Sequence, residues 1–132
     1  NLYKREGYEK ELEQVVLDRQ LGVINYYALA SGFLSGKYRS ETDLNKSQRG
    51  SAAKNYLNER GFKILKALDE VSEQYNVSLA SIALAWLMAR PSVTAPIASV
   101  TSLPQLEDLI RAAELKLNKE DIALLDEASS WQ

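Results

Sequence analysis

The residues best suited to chemistry lie between Gly22 and Tyr38, GVINYYALASGFLSGKY. An apolar stretch there runs into a loop of Ala, Ser and Gly, closed by Gly36 and Lys37. Small residues let a flat or phosphate-bearing ligand approach the backbone, and a lysine just beyond can neutralise it. The same residues also describe a buried strand followed by a surface turn, a common unit of α/β domains. The stretch is not a phosphate-binding P-loop. Only three residues separate Gly32 from Gly36 where that motif needs four, and Tyr38 replaces its Ser or Thr.

Composition removes several chemistries. Cysteine is absent, which excludes disulfides, thiolate metal sites and a cysteine nucleophile. Histidine is absent too, so neither a Ser-His-Asp triad nor a histidine-ligated zinc can be built from this chain. Acid-base work would fall to Tyr, Lys, Asp or Glu. A net charge of -2, from 16 basic and 18 acidic side chains, supplies no concentrated basic face for nucleic acid or an anionic membrane. No apolar run approaches ~18 residues and no leader is visible, so a cytoplasmic protein is the expectation.

The elements that would position the Gly22–Tyr38 stretch follow from periodicity. Tyr8, Leu12, Val15 and Val16 recur at helical spacing opposite Glu9, Lys10, Glu11 and Glu13, predicting an amphipathic helix that ends near Arg19. Residues 23–29 carry no charge and have β-branched or aromatic character, predicting a strand buried on both faces. Residues 39–50 hold almost no apolar side chain and read as a solvated, mobile loop. Ser51 can cap a helical pattern running to about Tyr75, with a break or bend near Gly61 and with Ile64, Leu65, Leu68 and Val71 on one face. Asn76 stops it, Ser78 caps a second helix through Trp86 and Leu87, and Pro91 ends that one. A second short strand is expected over 93–98. Ser102 then caps a helix with Pro104 in its first turn and Leu106, Leu109, Ile110 and Ala113 facing inward. Asn118 and Asp121 make a variant capping box for a last helix.

Strands alternating with helices imply a parallel sheet. Two strands, with a possible stub at Leu2-Tyr3, form too small a sheet to stand alone, so residues 1–132 read as a single incomplete domain. A closed (β/α)8 barrel takes about 250 residues, and this length would supply roughly half. The expected fold is α/β: a partial barrel, helix-rich, with two to three parallel strands.

At the level of motifs the chain resembles the carboxyl-terminal half of an aldo-keto reductase, of the branch related to the potassium-channel β subunits. The resemblance rests on YYALASGFLSGKY at 26–38, on APIAS at 95–99, on LPQLED at 103–108, and on Leu115-Lys116-Leu117 followed by the final helix. It implies a nicotinamide cofactor bound across the mouth of a barrel: NADP, with NAD as the alternative because no Lys or Arg occupies residues 99–105. Tyr26 matches the aromatic that stacks on the nicotinamide. Leu29, Ser31 and Lys37 match the loop along the pyrophosphate, and Arg49 is similar to a basic residue that folds over it. Thr101, Gln105 and Asp108 match positions near the adenosine and its 2′-phosphate. Leu109 stands where an adenine-contacting asparagine is common. The family's catalytic Asp, Tyr, Lys and His belong to the amino-terminal half, so no catalytic residue and no metal ligand is assigned here.

The implied parent reaction is NAD(P)H-dependent interconversion of an aldehyde or ketone with an alcohol. On that basis the chain supplies a cofactor platform and is inactive alone. The alternative is a non-enzymatic module that associates through exposed strand edges, with itself or with a missing amino-terminal half.

Overall fold

The computed structural model describes residues 1–131. A π-helical turn at Tyr8–Leu12 leads into helix α1 (Glu13–Asp18) and then strand β1 (Ile24–Asn25). Two 3-10 segments, Ala30–Ser35 and Glu41–Lys46, precede helix α2 (Gly50–Ala53) and a 3-10 turn at Lys54–Tyr56. Helices α3 (Glu59–Tyr75) and α4 (Leu79–Met88) follow, then strand β2 (Ala95–Pro96), helix α5 (Leu103–Glu114) and helix α6 (Lys119–Ala128). Strands β1 and β2 pair in parallel, Ile24 against Ala95 and Asn25 against Pro96. The Ile97 N–H extends the ladder by donating to the Asn25 carbonyl.

The core gathers around α3 and α4. Ile64, Leu65, Leu68 and Val71 of α3 pack with Ile82, Ala83, Trp86 and Leu87 of α4. Leu125 and Ala128 close one side, and Phe33, Leu34 and Tyr38 join from the turn after β1. Helix α4 is buried along nearly its whole length, because α3 lies on one side and α5 on another. Burying eight residues of one ten-residue helix removes enough apolar surface to anchor everything around it. Its ends are defined by chemistry local to the sequence. Asn76 ends α3 in the left-handed conformation that Asn tolerates, and the Ser78 hydroxyl accepts the Ser81 N–H to start α4. Asn118 likewise accepts the Asp121 N–H at 2.8 Å, whereas the Asp121 carboxylate takes the Tyr75 hydroxyl at 2.6 Å instead of closing a capping box.

Several expectations are corrected. The helical run from Gly50 breaks at Leu57-Asn58, close to the break or bend expected near Gly61, and the long helix begins at Glu59, capped by Asn58 and not by Ser51, which lies inside α2. Gly61 is needed in the first turn because a Cβ there would run into the Tyr56 carbonyl. The strand over 23–29 shrinks to two residues and is not buried on both faces: Ile24 is 64% exposed. Nothing among the described residues covers that face. Leu2-Tyr3 form no strand, and Leu2 is instead buried in the core. On α5 the inward residues are Ala112 and Leu109, while Leu106, Ile110 and Ala113 point out, because α4 meets the opposite side of the helix.

Residues 39–50 are not an open, unstructured loop. Ser40 and Asp43 form a capping box on the 3-10 segment, with the Asp43 carboxylate accepting the Arg39 and Ser40 N–H groups at 2.8 and 2.9 Å. Lys46 and these amides hold the Asp43 carboxyl well below the usual carboxylate range. Local polar residues satisfy the backbone here without an apolar stripe, so periodicity alone did not signal the turn.

Candidate functional site

Because β1 and β2 are parallel, the residues after each strand emerge at the same end of the sheet. Tyr26 follows β1 directly and is 73% exposed, with its ring edge-on to Tyr27 at 5.2 Å. Beyond it the chain turns sharply. Tyr27, Ala30, Ser31 and Gly32 all have positive φ, a run that L-residues hold only where the surroundings impose it. The buried Ala28, Ala30 and Phe33 side chains supply that constraint.

A cleft of about 970 Å³ opens beside this turn. Tyr26, Ser31 and Asn25 line it from the strand side, Leu12 and Val16 from the first helix, and Tyr56 from below. The Asn25 side-chain amide is enclosed, and neither its oxygen nor its nitrogen has a hydrogen-bond partner. A buried amide left unpaired costs about 1–3 kcal/mol. Tyr56 also faces the cleft, and burial raises its pKa, with Tyr3 and Tyr27 adding to the effect. Its hydroxyl is therefore held protonated.

The structure places the other predicted residues in three groups. Lys37 lies along Gly32, where a Cβ would meet its side chain, and its ammonium sits 5.0 Å over the Tyr38 ring. Leu29 is half-buried against the core and orients the turn. Arg49 is exposed at the start of α2, on the segment that returns toward Lys37. On the β2 side, the Thr101 N–H and hydroxyl both donate to the Gln105 side-chain oxygen, at 2.9 and 3.3 Å. Asp108 is fixed by its backbone carbonyl, which accepts the Ser81 hydroxyl at 2.9 Å. Ser102 sits at the start of α5 without a side-chain cap. Thus Tyr26 and Ser31 share the cleft, Lys37 lies just beyond them, and Thr101 and Gln105 are bonded together at the neighbouring strand end, with Asp108 one turn further along α5.

This arrangement fits an extended ligand with a flat head and an anionic middle. Tyr26 offers an aromatic face, the unpaired Asn25 amide marks a polar demand beside it, and Lys37, outside the cleft lining but alongside Gly32, supplies positive charge. Asn25 was not singled out from the sequence. Its place between Ile24 and Tyr26 was visible there, but its lack of a partner appears only in three dimensions. Among the described residues no group of three or more His, Cys, Asp or Glu could hold a metal ion, and no helix is long and apolar enough to cross a membrane.

Comparison with known proteins gives a consistent outcome. The model of the aldo/keto reductase family matches residues 1–130. An uncharacterized oxidoreductase of Bacillus subtilis, YrpG, is 32% identical over 120 residues, covering 90% of this chain and 35% of its own length. A protein of Arabidopsis thaliana described as "Probable voltage-gated potassium channel subunit beta" is 25% identical, covering 87% of this chain and 37% of its own. The crystal structure of the thermostable aldo-keto reductase Tm1743 in complex with the inhibitor epalrestat superposes with a TM-score of 0.68 at 22% identity, over 97% of this chain and 37% of that one. The chain therefore spans little more than a third of the length of the relatives it matches.

Proposed function

Since this chain belongs to the aldo/keto reductase family of oxidoreductases, we propose that it supplies the carboxyl-terminal half of a (β/α)8 barrel and, within it, the platform for NADP(H), with NAD(H) as the alternative. The observation that carries this reading is Tyr26: an aromatic ring left exposed at the carboxyl end of β1, at the head of the cleft and level with the end of β2. Barrel active sites are assembled at that end of the strands.

When bound, the dinucleotide supplies hydride to an aldehyde or ketone carbon. This chain's residues bind and orient it. Tyr26 stacks on the nicotinamide and fixes the face presented to the substrate. The Asn25 amide supports the head of the ligand. Ser31, Leu29 and Lys37 follow the pyrophosphate, Arg49 adds charge from the returning segment, and Thr101, Gln105 and Asp108 hold the adenosine end. On this reading the proton for the substrate oxygen is supplied by the amino-terminal half of a barrel; Tyr56, which also lines the cleft, is made a weaker acid by burial and stacks on Phe33.

Calorimetric titration tests the platform. NADPH is expected to bind the 132-residue chain weakly, while a broad aldehyde panel gives no NADPH oxidation. Steady oxidation by the chain alone would contradict the platform-only role.

A second reading is favoured by one observation. Apart from Phe62 on α3, the exposed large apolar residues lie on the first helix (Leu12, Val15, Leu17), the β1 face (Ile24, Tyr26, Tyr27) and α5 (Leu103, Leu106, Ile110), with Leu21 and Ile97 beside the strands. These are the flanks and open face of a two-stranded sheet whose outer edges are unpaired. On this reading the chain is a module that associates through those surfaces, with the amino-terminal part of a barrel or with another copy. Light scattering separates the two: a monomer at all concentrations that binds NADPH favours the platform, and a concentration-dependent oligomer that ignores NADPH favours association.

A further inference from the structure

The Tyr38 side chain does more than fill the core. Its ring is fully buried, and phenylalanine would fill the same space; only the hydroxyl needs a further explanation. That hydroxyl is hydrogen-bonded to the Ser47 hydroxyl, closing residues 39–46 into a loop. Ser47 Oγ in turn accepts the Arg49 N–H at 3.3 Å, and the Ser47 carbonyl accepts the Gly50 N–H at 3.0 Å. The face of the same ring carries the Lys37 ammonium at 5.0 Å. Lys46 adds a second tie across the segment, donating to the Lys37 carbonyl at 3.4 Å.

The other end of the segment is pinned independently. Arg39 reaches Asp69 on α3 with both guanidinium nitrogens, at 2.7 and 2.6 Å, and its Nε donates to the Gly36 carbonyl at 3.0 Å. Bidentate pairs of this kind fix direction as well as distance. With the start held by Arg39 and the end by Ser47, the excursion has little freedom in where it returns Arg49.

Building on the platform reading, we propose that Tyr38 is a positioning residue that couples the two basic contacts of the cofactor's anionic middle: its ring face seats Lys37, and its hydroxyl, through Ser47, sets the backbone of Arg49. Neither Tyr38 nor Ser47 touches the ligand. Their role is to hold the Lys37 ammonium and the Arg49 backbone, on either side of the 38–48 excursion, in place before the ligand arrives, which lowers the ordering cost of binding.

The test combines hydrogen exchange with NADPH titration on the 132-residue chain. Tyr38→Phe and Ser47→Ala are expected to speed amide exchange over residues 45–50 and to weaken NADPH binding about fivefold each, the worth of one net hydrogen bond. Ser47→Thr, which keeps the hydroxyl, is expected to restore both. The loss from Tyr38→Phe should largely vanish in an Arg49→Ala background, which a purely structural role would not produce. Unchanged exchange in both variants overturns the latch. Faster exchange with unchanged NADPH affinity overturns the positioning role while leaving the platform standing. Failure of the unsubstituted chain to bind NADPH overturns the platform, and the positioning role with it.

Discussion

The α3–α4–α6 region and the strand face are built to different standards. In the first, Trp86 is enclosed: its indole N–H donates to Asp126 at 3.0 Å, and the Arg5 and Arg90 guanidinium groups lie over its ring at 5.0 and 5.2 Å. Arg5 is itself buried and ion-paired to Glu9 and Asp126. Polar and apolar demands are met together. On the strand face, Ile24, Tyr26 and Leu12 lie open, and the Asn25 amide is buried without a partner. The first region meets its polar demands except at the Trp131 indole N–H, which is buried without a partner on a ring that lies under Arg5; the second leaves apolar surface open and the Asn25 amide unpaired. A fold's finished parts and its functional parts can thus be told apart by which demands are left unsatisfied.

The largest expected effect comes from breaking the finished side. Trp86→Ala should cost ~3–5 kcal/mol, removing both the packing and the partner of Asp126, and urea denaturation followed by circular dichroism would read it as a collapse of the transition. A smaller loss is expected at the start of α3. Asn58 accepts the Gly61 N–H at 3.0 Å and donates to the Tyr3 hydroxyl at 2.7 Å, so Asn58→Ala should cost ~1 kcal/mol in the same assay.

A pH dependence sharpens the contrast further. Hydrogen bonding to Asp121 raises the Tyr75 pKa above its ordinary value, with burial contributing. A raised folded-state pKa gives stability that is fully present below the ordinary tyrosine range near ~10 and is lost as pH rises through the raised value. Thermal melts between neutral and strongly alkaline pH should show this decline, and Tyr75→Phe should reduce it, with Tyr56, whose pKa burial also raises, supplying a remainder. The smallest effect should lie on the open side. Leu12→Ser and Ile110→Ser should change stability by no more than ~0.5 kcal/mol, because their side chains contribute little inside the monomer. If either costs as much as Asn58→Ala, the two regions do not differ as described.

Legibility followed the same division. Asn76, Ser78 and Asn118 were readable as helix boundaries because their cap chemistry is set by residues a few positions away. The α4 core and the parallel relation of the strands were also legible, since burial leaves a dense apolar pattern and the crossover fixes the direction. The length of β1 and the inward side of α5 were not. Both depend on what packs against them, and Leu106 and Ile110 have the right spacing for burial without a neighbour to bury them. The order in residues 39–50 was hidden for another reason: the Tyr38–Ser47 and Arg39–Asp69 bonds join positions that no local pattern connects. Of the site residues, Tyr26, Ser31 and Lys37 come together around one turn, whereas Thr101 and Gln105 are bonded together by the neighbouring strand and Asp108 is tied by its carbonyl to Ser81.

The most direct test of the platform is a titration of NADPH against the unsubstituted chain, Tyr26→Phe and Tyr26→Ala, followed by quenching of intrinsic fluorescence. Stacking of this kind contributes ~1 kcal/mol or somewhat more, so Tyr26→Ala should weaken binding roughly tenfold while Tyr26→Phe stays near the unsubstituted value. Equal affinity for all three proteins, or no binding by any of them at saturating NADPH, would contradict it.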